Sequence, residues 1–172
     1  MLQENNKKYS ANLTHKEIGG GTEFNILLPA TDQQINKEKE TMNLIPGSGR
    51  ILIMDDEEIV IEVCVDLLTD LGYEVTSTVD GTSMLAEYQS AIKHEKPYDL
   101  VVMDLTIPGG MGGREAISRL LEINPEAKAI VCSGYSNDQV MANYKDYGFK
   151  ANCAKPFQFA ILSRTIRDVL TT

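Results

Sequence analysis

The stretch ILIMDDEEIVIEVCVDLLTDLGYEV, residues 51–75, decides the fold. It begins with a short apolar run, Ile51–Met54, that ends in acidic residues. Apolar residues at helical spacing follow over residues 58–71, and Gly72 is typical of a helix end. The next run, Glu74–Thr78, has the length and composition of a second strand. This stretch therefore predicts one strand–helix–strand unit.

The same alternation continues to the end of the chain. Further strands are predicted at Leu100–Met103, Ala129–Cys132 and Ala151–Ala154. Further helices are predicted over residues of about 81–93, 113–123, 137–146 and 157–170, and Leu162, Ile166 and Val169 are expected to face the sheet. Strict alternation predicts an α/β fold, a doubly wound five-stranded parallel sheet with right-handed crossovers. Continuously apolar strands fit a sheet that is covered on both faces.

Composition narrows the functional classes. The chain has 172 residues, with 16 Lys and Arg against 25 Asp and Glu, and a formal net charge of −9. This balance argues against nucleic-acid binding, because phosphate neutralisation needs a basic face. The sequence shows neither a membrane-spanning run nor a secretory signal, so we expect a cytoplasmic protein without membrane contact by this chain. Cys64, Cys132 and Cys153 lack CxxC spacing and are expected to be buried thiols.

The composition changes near residue 50. Residues 31–49 are polar and charged and end in Pro-Gly-Ser-Gly, which is typical of a linker. From Arg50 onward the apolar pattern is regular. We therefore expect a separate segment over residues 1–30, a linker over 31–49 and the folded domain over 50–172.

Polar residues follow the predicted strands at their carboxyl ends. Asp55 and Asp56 follow the first strand, Asp104 the third, Ser133 the fourth and Lys155 the fifth. Functional residues of an open parallel sheet gather at this edge. Each residue alone is most often a cap, a turn former or a surface side chain. The joint pattern is hard to obtain by chance, and it predicts a functional site.

This set of residues indicates phosphoryl chemistry. Crowded carboxylates repel one another, and a bound divalent cation relieves that cost. Hard oxygen ligands favour Mg²⁺, which proteins hold through one or two carboxylates plus a phosphate. Asp104 can then act as a nucleophile on phosphorus. Mg²⁺, Lys155 and the Ser133 hydroxyl would stabilise charge on the transferred phosphoryl group.

Residues 50–170 resemble the receiver domain of two-component response regulators along their whole length. The segments ILIMDDEE, DLVVMDLTIPGGMGG, AIVCSGY and CAKPF carry the resemblance. It implies the flavodoxin-like (βα)5 receiver fold with strand order 2-1-3-4-5. It also implies that Asp104 is the phosphoacceptor, Ser133 the switch hydroxyl and Lys155 the lysine that contacts the phosphoryl group.

The same resemblance implies a ligand set for Mg²⁺. Asp56 would bind the ion directly, Asp55 through water, and the backbone carbonyl of Thr106 would complete the protein ligands beside Asp104. Two features depart from the family pattern. Asn152 stands where the family often has an aromatic switch residue, and the acceptor loop, IPGGMGG, is one residue longer than the common form.

Residues 12–30 resemble the last hairpin of the ATP-binding domain of sensor histidine kinases. A G-x-G-T-x-F stretch that runs to Leu28-Pro29 carries this resemblance, although the residues alone indicate only a glycine turn before an edge strand. A hybrid histidine kinase has the same order of segments: the end of the kinase, then a linker, then a receiver. We expect a remnant hairpin that folds poorly alone, without the nucleotide-binding boxes or the phosphorylatable histidine helix.

The resemblance implies a phosphorelay receiver rather than an independent enzyme. Its partners would be a sensor histidine kinase or a histidine phosphotransfer protein, and phosphorylation could drive dimerisation. A docking-only receiver is one alternative. A haloacid-dehalogenase-like phosphatase is another, but Thr106 stands where that class typically has a second aspartate. In a flavin-binding relative, the acidic run after the first strand would repel the phosphate.

Overall fold

A computed structural model describes residues 10–15, 22–27, 44–134 and 138–172. The chain divides into two compact units, Met1–Glu40 and Thr41–Thr172. In the first unit, strands β1 (Ser10–His15) and β2 (Thr22–Leu27) pair antiparallel. The predictions for the glycine turn and for residues 28–43, which hold most of the predicted linker, lie outside the described residues.

The second unit is built on five parallel strands. These strands are β3 (Arg50–Met54), β4 (Glu74–Thr78), β5 (Leu100–Asp104), β6 (Ala129–Ser133) and β7 (Ala151–Ala154). They pair in the order β4-β3-β5-β6-β7. Numbered within this sheet, the order is 2-1-3-4-5, so the predicted fold class and strand order are confirmed.

Five helices connect or follow these strands. They are α1 (Glu58–Asp70), α2 (Gly81–Lys93), α3 (Gly113–Ile123), α4 (Gln139–Ala142) and α5 (Phe159–Thr171). Four of them match the predicted helices to within two residues at each end. Asp80 caps α2 by accepting a hydrogen bond from the Ser83 amide at 2.8 Å, which fixes where that helix starts.

The predicted helix over residues 137–146 is wrong in extent. α4 ends after one turn, and a 3-10 helix, Tyr144–Tyr147, follows it. Asn143 causes the break, because its φ of −121° and ψ of 35° leave the helical region. Its side-chain amide also donates to the Gln139 carbonyl at 3.1 Å, a local bond that competes with helix continuation.

The core consists of two layers, one on each face of the sheet. Alternation along β3 sends Leu52 and Met54 to the α2–α3 side and Ile51 and Ile53 to the α1–α5 side. Both layers are closed by buried helix residues. The predicted sheet-facing residues of α5, Leu162, Ile166 and Val169, are all buried in the second layer. All three cysteines lie in that layer as free, buried thiols, as expected.

The folded unit includes residues that precede β3. The Gly47 amide donates to the Leu71 carbonyl at 2.9 Å, and the Glu74 amide donates to the Gly49 carbonyl at the same distance. Leu44 packs against the α1–α5 layer of the core. The last part of the segment predicted as a linker is therefore packed onto the domain. No helix in the described ranges has the length and apolar character needed to cross a membrane.

Candidate functional site

The carboxyl ends of the parallel strands bring four sequence-predicted residues to one edge of the sheet. Asp104 is the last residue of β5, and Ser133 is the last residue of β6. Asp55 directly follows β3, where its amide donates to the Thr78 carbonyl at 3.1 Å. Lys155 directly follows β7, where its amide donates to the Ser133 carbonyl at 2.9 Å. Backbone pairing that continues past the strands thus positions the site.

Lys155 joins the carboxylates of this edge. Its Nζ lies 2.7 Å from Asp55 Oδ2, 3.0 Å from Asp104 Oδ2 and 3.3 Å from Glu57 Oε1. The side chains of Lys155, Asp55 and Asp104 are nearly buried, at 11%, 4% and 11% exposure, whereas that of Glu57 is 62% exposed. The ammonium therefore provides the positive charge that lets these carboxylates lie together.

Glu57 is the residue that the sequence analysis missed. The oxygens of Asp55, Glu57 and Asp104 lie within 4.8 Å of one another, and the exposed Asp56 is outside this group. The chain is still extended at Glu57, with φ of −86° and ψ of 104°, so residues two apart can face the same side. The alternation of side chains along the acidic run DDEE was the signal that could have singled out Glu57.

Asp104 lines a cavity of about 590 Å³. Ser133, which is buried, lines this cavity together with Lys155 and Thr106. The Thr106 amide points at Asp104 Oδ1 from 3.5 Å. The rest of the lining is largely apolar and includes Ile59, Val60, Val63, Pro156, Phe157 and Phe159. A reacting group at Asp104 would therefore enter a cavity that combines charged and hydroxyl groups with apolar side chains.

The surroundings change the acidity of both charged partners. Burial raises the pKa of Asp104 above its ordinary value of 3.8, although the hydrogen bond and the charge of Lys155 oppose that rise. Burial alone would lower the pKa of Lys155. Its hydrogen bonds to Asp55 and Asp104 outweigh burial and raise that pKa above its ordinary range. Lys155 is therefore a permanent cation at neutral pH.

The carboxyl end of the long acceptor loop is held against neighbouring backbone. The Gly81 amide at the start of α2 donates to the Met111 carbonyl at 2.8 Å. A Cβ atom at Gly112 would lie 2.5 Å from the Leu105 carbonyl oxygen, and one at Gly113 would lie 2.7 Å from the Asp104 carbonyl oxygen. These glycines let α3 begin directly against the backbone of the acceptor residue.

Asn152 makes a polar contact at the position where an aromatic residue is common. Its side-chain amide donates to the Met141 carbonyl at 2.6 Å and ties β7 to α4. At the other end of α4, Asp138 caps the helix through the Val140 amide at 2.7 Å and pairs with Arg114 of α3 at 3.1 Å. Both ends of α4 are thus held by side-chain hydrogen bonds.

The donor set fits a hard divalent cation. Three carboxylates that converge within 4.8 Å offer oxygen ligands only, and two of them are buried and aimed into the site. Such oxygen ligands suit Mg²⁺ better than softer metals. Asp55 and Asp104 belong to both this group and the predicted ligand set, whereas the structure adds Glu57 and leaves Asp56 outside it.

Comparisons with known proteins agree with this geometry. The family model for the response regulator receiver domain matches residues 51–167. The chemotaxis protein CheY of Thermotoga maritima is 36% identical over 110 residues, which cover 63% of this chain and 87% of that protein. The crystal structure of the CheX–CheY–BeF3–Mg²⁺ complex from Borrelia burgdorferi contains a chain with a similar fold, at a TM-score of 0.65 and 24% identity. That match covers 74% of this chain and 92% of that one.

The match to a sensor kinase extends beyond the domain that follows residue 50. The sensor kinase CckA of Brucella abortus is 30% identical over 167 residues, which cover 90% of this chain. The chain spans only 17% of the length of that kinase. The similarity to CckA therefore concerns a part of a much larger protein.

Proposed function

The chain belongs to the response regulator receiver domain family, and on that premise we propose that Asp104 accepts a phosphoryl group from a phosphohistidine. One observation carries the proposal. Asp104 lies at a cavity where Lys155 bridges it to Asp55, and Ser133 lines the same cavity. This arrangement supplies a nucleophile, a fixed cation and a hydroxyl within one cavity.

In the proposed reaction, an Asp104 carboxylate oxygen attacks the phosphorus of the donor phosphohistidine. A bond between phosphorus and the Asp104 oxygen forms, and the bond between phosphorus and the imidazole nitrogen breaks. The imidazole keeps the electron pair of the broken bond. Lys155 and the Ser133 hydroxyl would bind the transferred oxygens, while the Thr106 amide holds the acceptor carboxylate in place.

We assign Mg²⁺ as the cofactor of this reaction. When bound, Mg²⁺ neutralises charge on the phosphoryl oxygens and brings the two negatively charged groups together. Asp55, Asp56, Asp104 and the Thr106 carbonyl form the proposed ligand set. The structure supports Asp55 and Asp104 by their proximity and adds Glu57 as a carboxylate within the same group.

The proposed partners follow from the chemistry of the donor. A sensor histidine kinase or a histidine phosphotransfer protein would supply the phosphohistidine, and phosphorylation would change protein contacts, including those of a dimer. The chain would act as a self-catalysed phosphoacceptor and not as an independent enzyme. Its net charge of −9 opposes any direct role in nucleic-acid binding.

We further propose that the chain derives from the carboxyl-terminal part of a hybrid histidine kinase. A match that covers 90% of the chain extends into the residues before the receiver domain, and the matched relative is a sensor kinase. The antiparallel pair of β1 and β2 agrees with the expected hairpin over residues 12–30. In this arrangement residues 31–49 connect that hairpin to the receiver at 50–172.

Intact mass spectrometry tests the acceptor. The protein would be incubated with a small-molecule phosphodonor, with Mg²⁺ or with a chelator, beside Asp104→Asn. We expect one phosphoryl adduct that requires Mg²⁺ and is absent from the variant. A folded, Mg²⁺-binding protein that gains no adduct from the small donor or from a phosphorylated histidine phosphotransfer protein would contradict the proposal and favour a docking-only receiver.

A further inference from the structure

Glu57 is not one of the proposed Mg²⁺ ligands, although its carboxylate lies beside the reacting groups. Glu57 Oε1 is 3.3 Å from Lys155 Nζ, and its side chain is 62% exposed. It also belongs to the group of oxygens within 4.8 Å of one another. The neighbouring Glu58 is exposed as well, but the described residues show no ion pair for it with Lys155. A specific charge at residue 57 therefore faces the acceptor.

The balance of charge changes when Asp104 is phosphorylated. The carboxylate of Asp104 is then replaced by an acyl phosphate that carries about two negative charges. The positive charges of Lys155 and one Mg²⁺ balance the negative charges of the phosphoryl group and of one carboxylate. Asp55 is that carboxylate, because it is buried and lies nearest the ammonium, at 2.7 Å. Glu57 thus adds an excess negative charge of about one unit to the phosphorylated site, beyond the charge of Asp56 in the proposed ligand set.

Glu57 also competes for the cation that the phosphoryl group needs. In the unphosphorylated site, Lys155 contacts all three carboxylates at 2.7–3.3 Å. A phosphoryl group on Asp104 must share this ammonium with Glu57, and its oxygens are repelled by the Glu57 carboxylate. Both effects weaken the phosphorylated state relative to the unphosphorylated one.

We propose that Glu57 is a positioning residue that shortens the lifetime of the phosphoryl group on Asp104. This inference rests on the proposed function. In the loss reaction, water attacks phosphorus, the bond between phosphorus and the Asp104 oxygen breaks, and inorganic phosphate leaves. Asp104 keeps the electron pair as a carboxylate, and the proton of the water passes to phosphate or solvent. Repulsion by Glu57 falls as the phosphoryl group departs, so Glu57 favours loss.

The test compares Glu57→Gln with Glu58→Gln, a matched variant one residue away. Each protein is phosphorylated with a small-molecule donor at saturating Mg²⁺, the donor is removed, and the adduct is followed by intact mass over time. At this distance, an exposed charge changes the rate of phosphoryl loss by about fivefold. We therefore expect Glu57→Gln to lose its adduct about fivefold more slowly. Glu58→Gln should lose its adduct at the wild-type rate.

Two further measurements separate an electrostatic role from a structural one. High salt should reduce the difference between wild type and Glu57→Gln, because it screens exposed charges. Glu57→Asp, which keeps the charge, should lose its adduct faster than Glu57→Gln. Equal loss rates for wild type and Glu57→Gln, with an adduct formed on both, would overturn the role of Glu57 alone. The absence of any adduct on the wild type would overturn both this inference and the proposed function.

Discussion

The side-chain amide of Asn152 donates a hydrogen bond to the backbone carbonyl of Met141 at 2.6 Å. This bond connects β7, which leads to Lys155, with α4, which follows the strand that ends at Ser133. The Asn152 side chain therefore links β7 to α4, the two elements that adjoin Lys155 and Ser133 in the chain.

Replacing Asn152 with alanine should loosen α4. The lost hydrogen bond is worth about 0.5–1.5 kcal/mol, and only the short helix and the 3-10 turn after it depend on it. We expect faster amide hydrogen exchange over residues 139–149 in Asn152→Ala. Exchange in α1 serves as the internal control and should not change. Unaltered exchange in both regions would show that the amide does not hold α4.

The raised pKa of Asp104 predicts how stability depends on pH. Because burial raises this pKa above 3.8, the folded chain binds the proton more tightly than the unfolded chain does. Ionising Asp104 therefore costs stability as pH rises from below 3.8 through the raised pKa. We expect the free energy of unfolding of the wild type, relative to Asp104→Asn, to fall across that interval and to level off above it.

Urea denaturation of both proteins at a series of pH values, in the presence of a metal chelator, measures this difference. The chelator is needed because a bound cation would favour the ionised carboxylate. A difference that rises with pH across the same interval would mean that the attraction of Lys155 exceeds the cost of burial at Asp104.

The hydroxyl of Tyr73 is buried and has no hydrogen-bond partner within the described part of the chain. An unpaired buried hydroxyl costs about 1–3 kcal/mol relative to a paired or absent one. Tyr73→Phe should therefore keep the fold and raise the free energy of unfolding by about 1 kcal/mol. The midpoint of chemical denaturation measures the change, and a loss of stability would reveal a partner for this hydroxyl.

Helix α1 carries an exposed acidic residue at every fourth position and contains no Lys or Arg. The four residues are Glu58, Glu62, Asp66 and Asp70. Like charges at this spacing repel, and an acid in the last turn also opposes the helix dipole. Asp70→Lys should relieve both effects and stabilise the domain by about 0.5–1 kcal/mol at low salt.

Glu58→Lys provides the contrast for this prediction. It also removes a repulsive pair, but it places a cation in the first turn, where the helix dipole favours an anion. We expect its effect on the denaturation midpoint to be smaller than that of Asp70→Lys. Equal gains from both variants would show that pairwise repulsion, and not the dipole, controls the stability of α1.

The fold could be predicted from local pattern because each buried strand is an apolar run and each helix shows one apolar face. Glu74–Thr78 and 113–123 have the same bounds in the sequence prediction and in the structure. The extent of α4 could not be predicted in this way. Its apolar residues fit helical and 3-10 spacing alike, and the break depends on the local hydrogen bond of Asn143.

The candidate site was predictable where a residue follows directly from a strand end, as Asp104 and Lys155 do. Alternation along DDEE could have indicated the side that Glu57 faces, but not its contact with a lysine that is 98 positions away in the chain. The partner of Asn152 was unpredictable for a similar reason. A sequence pattern indicates that an aromatic side chain is missing there, but only the packed structure shows which carbonyl the amide reaches.

The placement of the three cysteines gives the chain a built-in reporter of partial opening. All of them are buried on the α1–α5 side of the sheet, and burial raises the pKa of Cys64 to about 11. A thiol reagent can therefore react only after this layer separates and the sulfur meets solvent. Because the chain has no other cysteine, opening of the α2–α3 layer alone leaves the reagent unconsumed. The rate of alkylation would therefore measure how fast the α1–α5 layer opens, without an introduced label.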